Sequence, residues 1–335
     1  MNTFGSNLRV NIYGESHGKQ VGVLIDGCPA GLPLTGQDFT NDLLRRKSGA
    51  KGTTPRIEED KPEIVSGVFN DRTTGAPILI AFYNKNTKSG DYSQLKNFPR
   101  PGHADFTAKF KFGGFNDYRG GGHFSGRLTL GLVAAGVIAK KLIHPLTIQA
   151  NLIEAGGEKY IENAIENALK KNDSIGGIVE CIAQQIPVGL GEPFFNSVES
   201  LLSHIIFAIP AIKGIEFGSG FNAAKMFGSE HNDDLIDTSG KTATNFAGGI
   251  NGGITNGNAL IFKVAVKPTS SISKAQQTVN LQSGKPEKLE VKGRHDACIA
   301  LRVPVVVEAA TAIVLADLML AEQKISKILL ERSAR

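Results

Sequence analysis

Four of the seven histidines stand in glycine-bounded stretches. They are His17 in Gly14-Glu15-Ser16-His17-Gly18, His103 in Pro101-Gly102-His103-Ala104-Asp105, His123 in Gly120-Gly121-Gly122-His123-Phe124-Ser125-Gly126, and His295 in Gly293-Arg294-His295-Asp296. Imidazole titrates near neutrality, so a histidine on such a loop is suited to acid–base work in a pocket. His144, His204 and His231 have helix-end or surface contexts and read as structural. Basic side chains share the same stretches. Arg45, Arg46 and Lys51 follow a first helix, Arg100, Arg119 and Arg127 surround the glycine triplet, Lys267 precedes Thr269-Ser270-Ser271, and Arg294 and Arg302 bracket His295-Asp296. Glycine lets backbone N–H groups approach an anion, and a guanidinium grips phosphate or carboxylate as a fork. Repetition of that pairing points to a site for a polyanionic small molecule. Glycine turns beside solvated charges are the plainer alternative.

Other chemistries fit less well. Gly14-Glu15-Ser16-His17-Gly18 matches G-x-S-x-G, but that nucleophile elbow needs a helix directly afterwards, and residues 19–27 are β-like. There is no G-x-x-x-x-G-K-[ST], no G-x-G-x-x-G opening a helix after a strand, and no H-E-x-x-H, so no P-loop, Rossmann or metal site is expected. Lys+Arg 37 against Asp+Glu 32 leaves a charge of +5 without a like-charge block, which does not argue for nucleic acid. Cys28, Cys181 and Cys298 are dispersed, odd in number and outside C-x-x-C spacing, which fits a reducing cytosol. The first residues lack a secretory pattern, and the most apolar stretch, 303–320, carries Glu308 and Asp317, against a membrane span. Hydrophobic residues at 41% and charged residues at 21% are ordinary for a globular chain. Glycine is not ordinary: 39 of 335 is about 12%, against a usual ~7%.

The elements that must position these residues are partly legible. Strands are expected at 8–13 and 21–26, and a hairpin from 64–69 and 76–82 across Asn70-Asp71-Arg72-Thr73-Thr74-Gly75. A helix is expected after Thr35, with Asp38 at the capping-box position and Gly49 beyond its basic end. Residues 83–126 read as one long loop, followed by a buried helix over 128–143. Further on, the pattern predicts a surface helix at 160–171, a strand at 177–186, a helix at 197–209 and a strand at 259–266. Glycine recurs without periodicity over 214–257, and a last helix runs from Pro304 toward Leu330. No linker or composition shift divides the chain, so one α+β domain over 1–335, built on antiparallel sheet, is expected.

Taken in order, several stretches resemble the chorismate synthase family: Gly14 to Gly18, Arg45-Arg46, Pro99 to Asp105, Asp117-Tyr118-Arg119-Gly120-Gly121-Gly122, Val133-Ala134-Ala135-Gly136, Lys213-Gly214-Ile215-Glu216, Lys267 to Ser271, and Gly293 to Asp296. The resemblance spans about residues 4–320. It implies a β-α-β sandwich of antiparallel sheets covered by helices, assembled as a cytoplasmic homotetramer without nucleic-acid or membrane partners. It implies a phosphate lyase that converts 5-enolpyruvylshikimate 3-phosphate to chorismate by 1,4-anti elimination, the last common step toward the aromatic amino acids. Reduced FMN is required although nothing is oxidised overall. By the same resemblance His17, His103 and Asp296 are catalytic, and Ser16, Arg46, Arg127 and Arg302 bind substrate. FMN would be held by His123, Phe124, Ser125, Pro210, Ala211, Gly252, Lys267, Pro268, Thr269, Ser270, Ser271 and Arg294, with NADPH, a possible reductant, at Arg46. The chain departs from the family at His123-Phe124, where Arg-Ser is usual, at Gly52, where a second arginine is usual, and at Ala297, where proline is usual. A flavin oxidoreductase with net hydride transfer and a non-catalytic anion- or RNA-binding protein are the alternatives.

Overall fold

The computed structural model describes residues 2–54, 58–85, 95–291 and 295–330. Two antiparallel sheets carry the fold. The first contains β1 (Thr3–Phe4), β2 (Arg9–Gly14), β3 (Gln20–Asp26) and β4 (Glu63–Ile64). A tight hairpin, β5 (Val68–Phe69) and β6 (Arg72–Thr73), leads into β7 (Ile78–Tyr83), and the sheet order is β1-β2-β3-β7-β4. The second contains β8 (Thr147–Ala155), β9 (Gly177–Gln184), β10 (Ile212–Phe217) and, after the hairpin β11 (Ile250–Asn251) and β12 (Ile254–Thr255), β13 (Leu260–Val266). Its order is β10-β13-β9-β8, and a separate hairpin pairs β14 (Gln276–Val279) with β15 (Pro286–Leu289).

The helices are α1 (Thr40–Arg46), α2 (Asp105–Lys111), α3 (Thr129–Leu142), α4 (Ile161–Lys170), α5 (Val198–Ala208), α6 (Gly228–His231) and α7 (Pro304–Ala321). α3 packs on β2, β3 and β7, α7 packs on β8 and β9, and the two helices pack on each other between the sheets. Both are apolar on nearly every face, as largely enclosed helices must be, with Lys140 and Lys141 only at the end of α3. Leu130, Val133 and Ile138 of α3 and Val307, Ile313 and Leu315 of α7 are fully buried, each worth about 1.5–3 kcal/mol relative to an exposed side chain. By length and composition α7 could cross a membrane, but 78% of it lies buried inside the protein. Its acids have internal partners. Glu308 accepts from Arg45 Nη1 and Nη2, Lys140 Nζ and the Ala150 amide at 2.6–2.9 Å. Burial alone would raise the Glu308 pKa, yet Arg45 and Lys140 hold it below the ordinary value.

The α+β expectation and its antiparallel sheets hold, with the helices as the middle layers of the sandwich. Several boundaries change. The hairpin expected from 64–69 and 76–82 is divided: Asn70 and Asp71, at φ 47° and 56°, close the tight β5–β6 turn, while Ile64 pairs with Ile80. Asp38 does accept the Thr35 N–H at 2.7 Å, but the first turn is 3-10 before α1 begins. The stretch expected as one loop contains α2, because Asp105 supplies a first-turn acid and Lys109 and Lys111 a basic last turn. α7 stops at Ala321, nine residues short of Leu330. Gln323 turns left-handed at φ 53°, and the tail runs back so that the Leu329 N–H meets the Ala30 carbonyl at 2.9 Å.

Candidate active site

The glycine triplet shows why this composition was needed. Gly120, Gly121 and Gly122 all have left-handed φ, at 58°, 83° and 54°. A Cβ on Gly120 would lie 2.3 Å from the His17 ring, and one on Gly121 3.3 Å from the His103 ring. Only glycine allows this turn between two histidines, and the Ser16 N–H fixes it by donating to Gly122 O at 3.0 Å.

Two cavities meet at this turn, sharing seven residues, among them Gly120, Ser125, Gly126, Thr129 and Pro210. The larger, about 660 Å³, reaches from the C-terminal end of α5 to the loop after β13. His103, His123, Phe124, Ser125, Pro210, Ala211 and every residue from Lys267 to Ser271 line it. The smaller, about 230 Å³, is lined by Ser16, Arg46, Arg127, Asp296 and Arg302, with Asp60 on its wall. The structure thus brings together most of the residues expected from sequence. Three stand differently. His17, 6% exposed, lies behind Gly120 and lines neither cavity. Gly252 turns the β11–β12 hairpin, which meets the N-terminal end of α5, and touches neither cavity within this chain. Arg294 lies outside the described residues.

The small cavity is dense in charge, much of it paired. Asp60 binds Arg46 Nη1 at 3.3 Å and Arg127 Nη1 at 2.8 Å, while Arg302 Nη1 lies 3.5 Å from Asp296. Lys47 and Glu58 add one charge of each sign to the small cavity. Four guanidinium groups line this cavity; Arg100 is matched by Asp105, and the other three answer Asp60 and Asp296, which leaves a surplus positive charge. Burial, then the nearby Arg302 charge, lowers the Arg46 pKa to about 9, still above neutrality. Arg46 Nε donates to Thr129 Oγ1 at 3.0 Å and Nη2 to Gly126 O at 3.3 Å, and Arg127 Nε donates to Asn84 Oδ1. Arg127 Nη2 is buried with no hydrogen-bond partner among the described residues. A buried, unanswered guanidinium donor is costly and invites an anion.

Between the cavities, His103 of the larger one has its Nδ1 2.7 Å from Asp105 Oδ1, and Arg100 of the smaller one doubly clamps the same carboxylate from Nε at 2.7 Å and Nη2 at 2.8 Å. A carboxylate only accepts, so in this shortest contact Nδ1 is the donor and Nε2 is left for exchange, although Arg100 Nη2, itself only a donor, also lies 3.1 Å from Nδ1. Arg100 Nη1 continues the chain to Ser271 Oγ at 2.9 Å. Asp296 is steadied by the Thr54 N–H at 2.9 Å, and burial lowers the pKa of neighbouring His295. Asp60 and Asp105 were not singled out from sequence. Asp60 ends an acidic run that resembles a solvated face, whereas Asp105 lies two residues beyond His103 within the stretch Pro99 to Asp105. Among the described residues no cluster of three metal-ligating side chains occurs.

Fold and site together define an α+β protein with a basic small-molecule cavity joined to a larger, partly apolar one. The chain matches the sequence profile of the family described as chorismate synthase over residues 8–320. A chorismate synthase of Chitinophaga pinensis is 65% identical over 329 residues, covering 98% of this chain and 99% of that one. One of Dehalococcoides mccartyi is 47% identical, covering 95% and 96%. A solved structure titled "Crystal Structure of Chorismate Synthase" superposes with a TM-score of 0.73 at 26% identity, covering 95% of this chain and 93% of that one. This chain belongs to the chorismate synthase family, and with it to the lyases.

Proposed function

We propose that this chain eliminates phosphate from 5-enolpyruvylshikimate 3-phosphate, 1,4-anti, to give chorismate, with reduced FMN as its cofactor. The observation that carries this reading is the surplus guanidinium charge of the small cavity, with Arg127 Nη2 buried and unanswered. The substrate bears two carboxylates and a phosphate, the anions that Arg46, Arg127 and Arg302 are built to hold.

The larger cavity fits a flavin mononucleotide. Thr269 Oγ1 is buried without a hydrogen-bond partner among the described residues, next to Lys267 and Ser270, and Leu128, Leu132, Ile209 and Pro210 supply apolar wall. Lys267 to Ser271 would hold the phosphate end and the apolar wall the ring. When bound, reduced flavin supplies transient electron density that eases phosphate loss where the ring hydrogen is too weakly acidic for a side-chain base alone.

The protein's own groups do the rest. In the elimination the carbon–oxygen bond to phosphate and a ring C–H bond both break, the C–H electron pair goes into the new double-bond system, and no net oxidation occurs. Arg46, Arg127 and Arg302 orient the anions and answer the charge developing on the departing phosphate. Ser16, at the Gly120 turn, completes that wall. By the family resemblance His17, packed against Gly120 at the edge of the cavities, supplies the proton to the phosphate. Asp296, held by Thr54 and Arg302, helps relay the ring proton away. His103, its Nδ1–H fixed by Asp105, balances protons at Nε2. The same reading carries a cytoplasmic homotetramer and gives the NADPH position to Arg46, with no turnover expected from FMN and NADPH in the absence of a separate reductant.

The test is anaerobic turnover with reduced FMN far below the substrate concentration. Chorismate formed in large excess over reductant is the expected result. One reductant consumed per product would overturn it in favour of net hydride transfer. Tight, salt-sensitive RNA binding without flavin binding would overturn it in favour of a nucleic-acid protein.

A further inference from the structure

The resemblance gives His123 to the cofactor, but its ring is engaged elsewhere. His123 Nδ1 lies 2.7 Å from the Gly14 carbonyl, and Nε2 lies 3.2 Å from Asn2 Oδ1. A carbonyl only accepts, so Nδ1 must be the donor in the shorter contact. Gly14 ends β2 in a left-handed conformation, φ 93°, and opens the stretch that carries Ser16 and His17. The opposite side of that stretch is tied by the Ser16 N–H to Gly122 O at 3.0 Å. Residues 14–17 are thus stitched to the glycine turn at two points, one backbone and one through the imidazole. Gly120 rests against the His17 ring, so a slip of either loop displaces that ring.

We propose that His123 is a positioning residue: its Nδ1–H holds the Gly14 carbonyl and thereby fixes Ser16 and His17 against the glycine turn. Its consequence for turnover rests on the function proposed above. An asparagine at this position places its amide nitrogen near Nδ1, whereas glutamine reaches toward Nε2. The test compares wild type with His123→Ala, His123→Asn and His123→Gln. It measures kcat and KM for 5-enolpyruvylshikimate 3-phosphate at saturating reduced FMN, FMN affinity by optical titration, and amide hydrogen exchange over residues 14–18 in flavin-free protein.

His123→Ala should lower kcat by roughly ten- to a hundredfold, the scale of a misplaced reacting group, with KM and FMN affinity little changed. Exchange over 14–18 should rise. His123→Asn should restore both kcat and protection, and His123→Gln neither. Normal kcat and exchange in His123→Ala with weakened FMN binding would overturn the proposal and make His123 a cofactor contact. Rescue by glutamine alone would overturn it as well. Should the alanine variant fail to fold, the asparagine–glutamine contrast decides. Absence of wild-type turnover would strike the proposed function, while the exchange measurement still judges the positioning role.

Discussion

Asp105 carries two duties, fixing the tautomer of His103 and neutralising Arg100 inside the protein. Burial alone would raise its pKa, but hydrogen bonds and charge from Arg100 and His103 push it far below the usual carboxylate range. A carboxyl with a folded pKa below its unfolded one stabilises fully above the unfolded pKa, about 4, and loses that contribution as pH falls below it. Asp105→Asn should therefore cost about 2–4 kcal/mol near neutrality, since it leaves Arg100 buried without its partner. The deficit against wild type should shrink as pH drops below about 4. Urea unfolding of both proteins at neutral pH and near pH 3 checks this. A deficit independent of pH would assign the loss to packing.

Among the elements, the α3–α7 crossing sets the distance between the two sheets, and one glycine sets the crossing. A Cβ on Gly136 would lie 2.2 Å from Ala309 Cβ and 2.5 Å from its Cα. Helix propensity argues that Gly136→Ala should gain up to about 1 kcal/mol. Overlap with the α7 backbone cannot be relieved by rotating a side chain, and overpacking of this kind costs about 1–3 kcal/mol. Packing should win, so the variant should unfold at lower temperature than wild type in calorimetry. A raised midpoint would mean that the helices separate freely. The same glycine excess thus serves two ends, loop geometry at 120–122 and close helix approach at 136.

For the whole molecule, the two ends of the chain are tied by one carboxylate. Asp317, near the end of α7, accepts from the backbone N–H groups of Ser6, Asn7 and Leu8 at 2.6–3.2 Å. β1 and β2 are thereby fixed to the last helix across 311 residues of sequence. Asp317→Ala leaves those amides without an acceptor and should cost about 2–4 kcal/mol of global stability. The midpoint of urea unfolding, followed by far-ultraviolet dichroism, should fall as a single transition. Loss confined to faster exchange at residues 6–8 would show that the clasp is local.

The sequence by itself determined the chemical inventory. Motifs at 14–18, 99–105, 117–122 and 267–271, with His295 and Asp296, named the histidines, arginines and phosphate-type loop that line or adjoin the two cavities, and short apolar runs bounded by turn residues marked β2, β3, β9 and β13. It did not reveal β8 and β10. Both are edge strands, and register shifts at Leu152/Glu154 and Ile212/Gly214 break the two-residue alternation that betrays a strand. Nor could it show that Asp60 is a buried counter-ion, because the partners that bury it, Arg46 and Arg127, lie 14 and 67 residues away. Only tertiary structure decided that His17 stands behind Gly120, that both nitrogens of His123 face protein oxygens, and that Gly252 lies apart from the cavities. The physical reason is common to all of these. Residue type fixes what a group can donate, accept or titrate, while burial and partnership are settled by segments distant in sequence that pack into the same few ångströms.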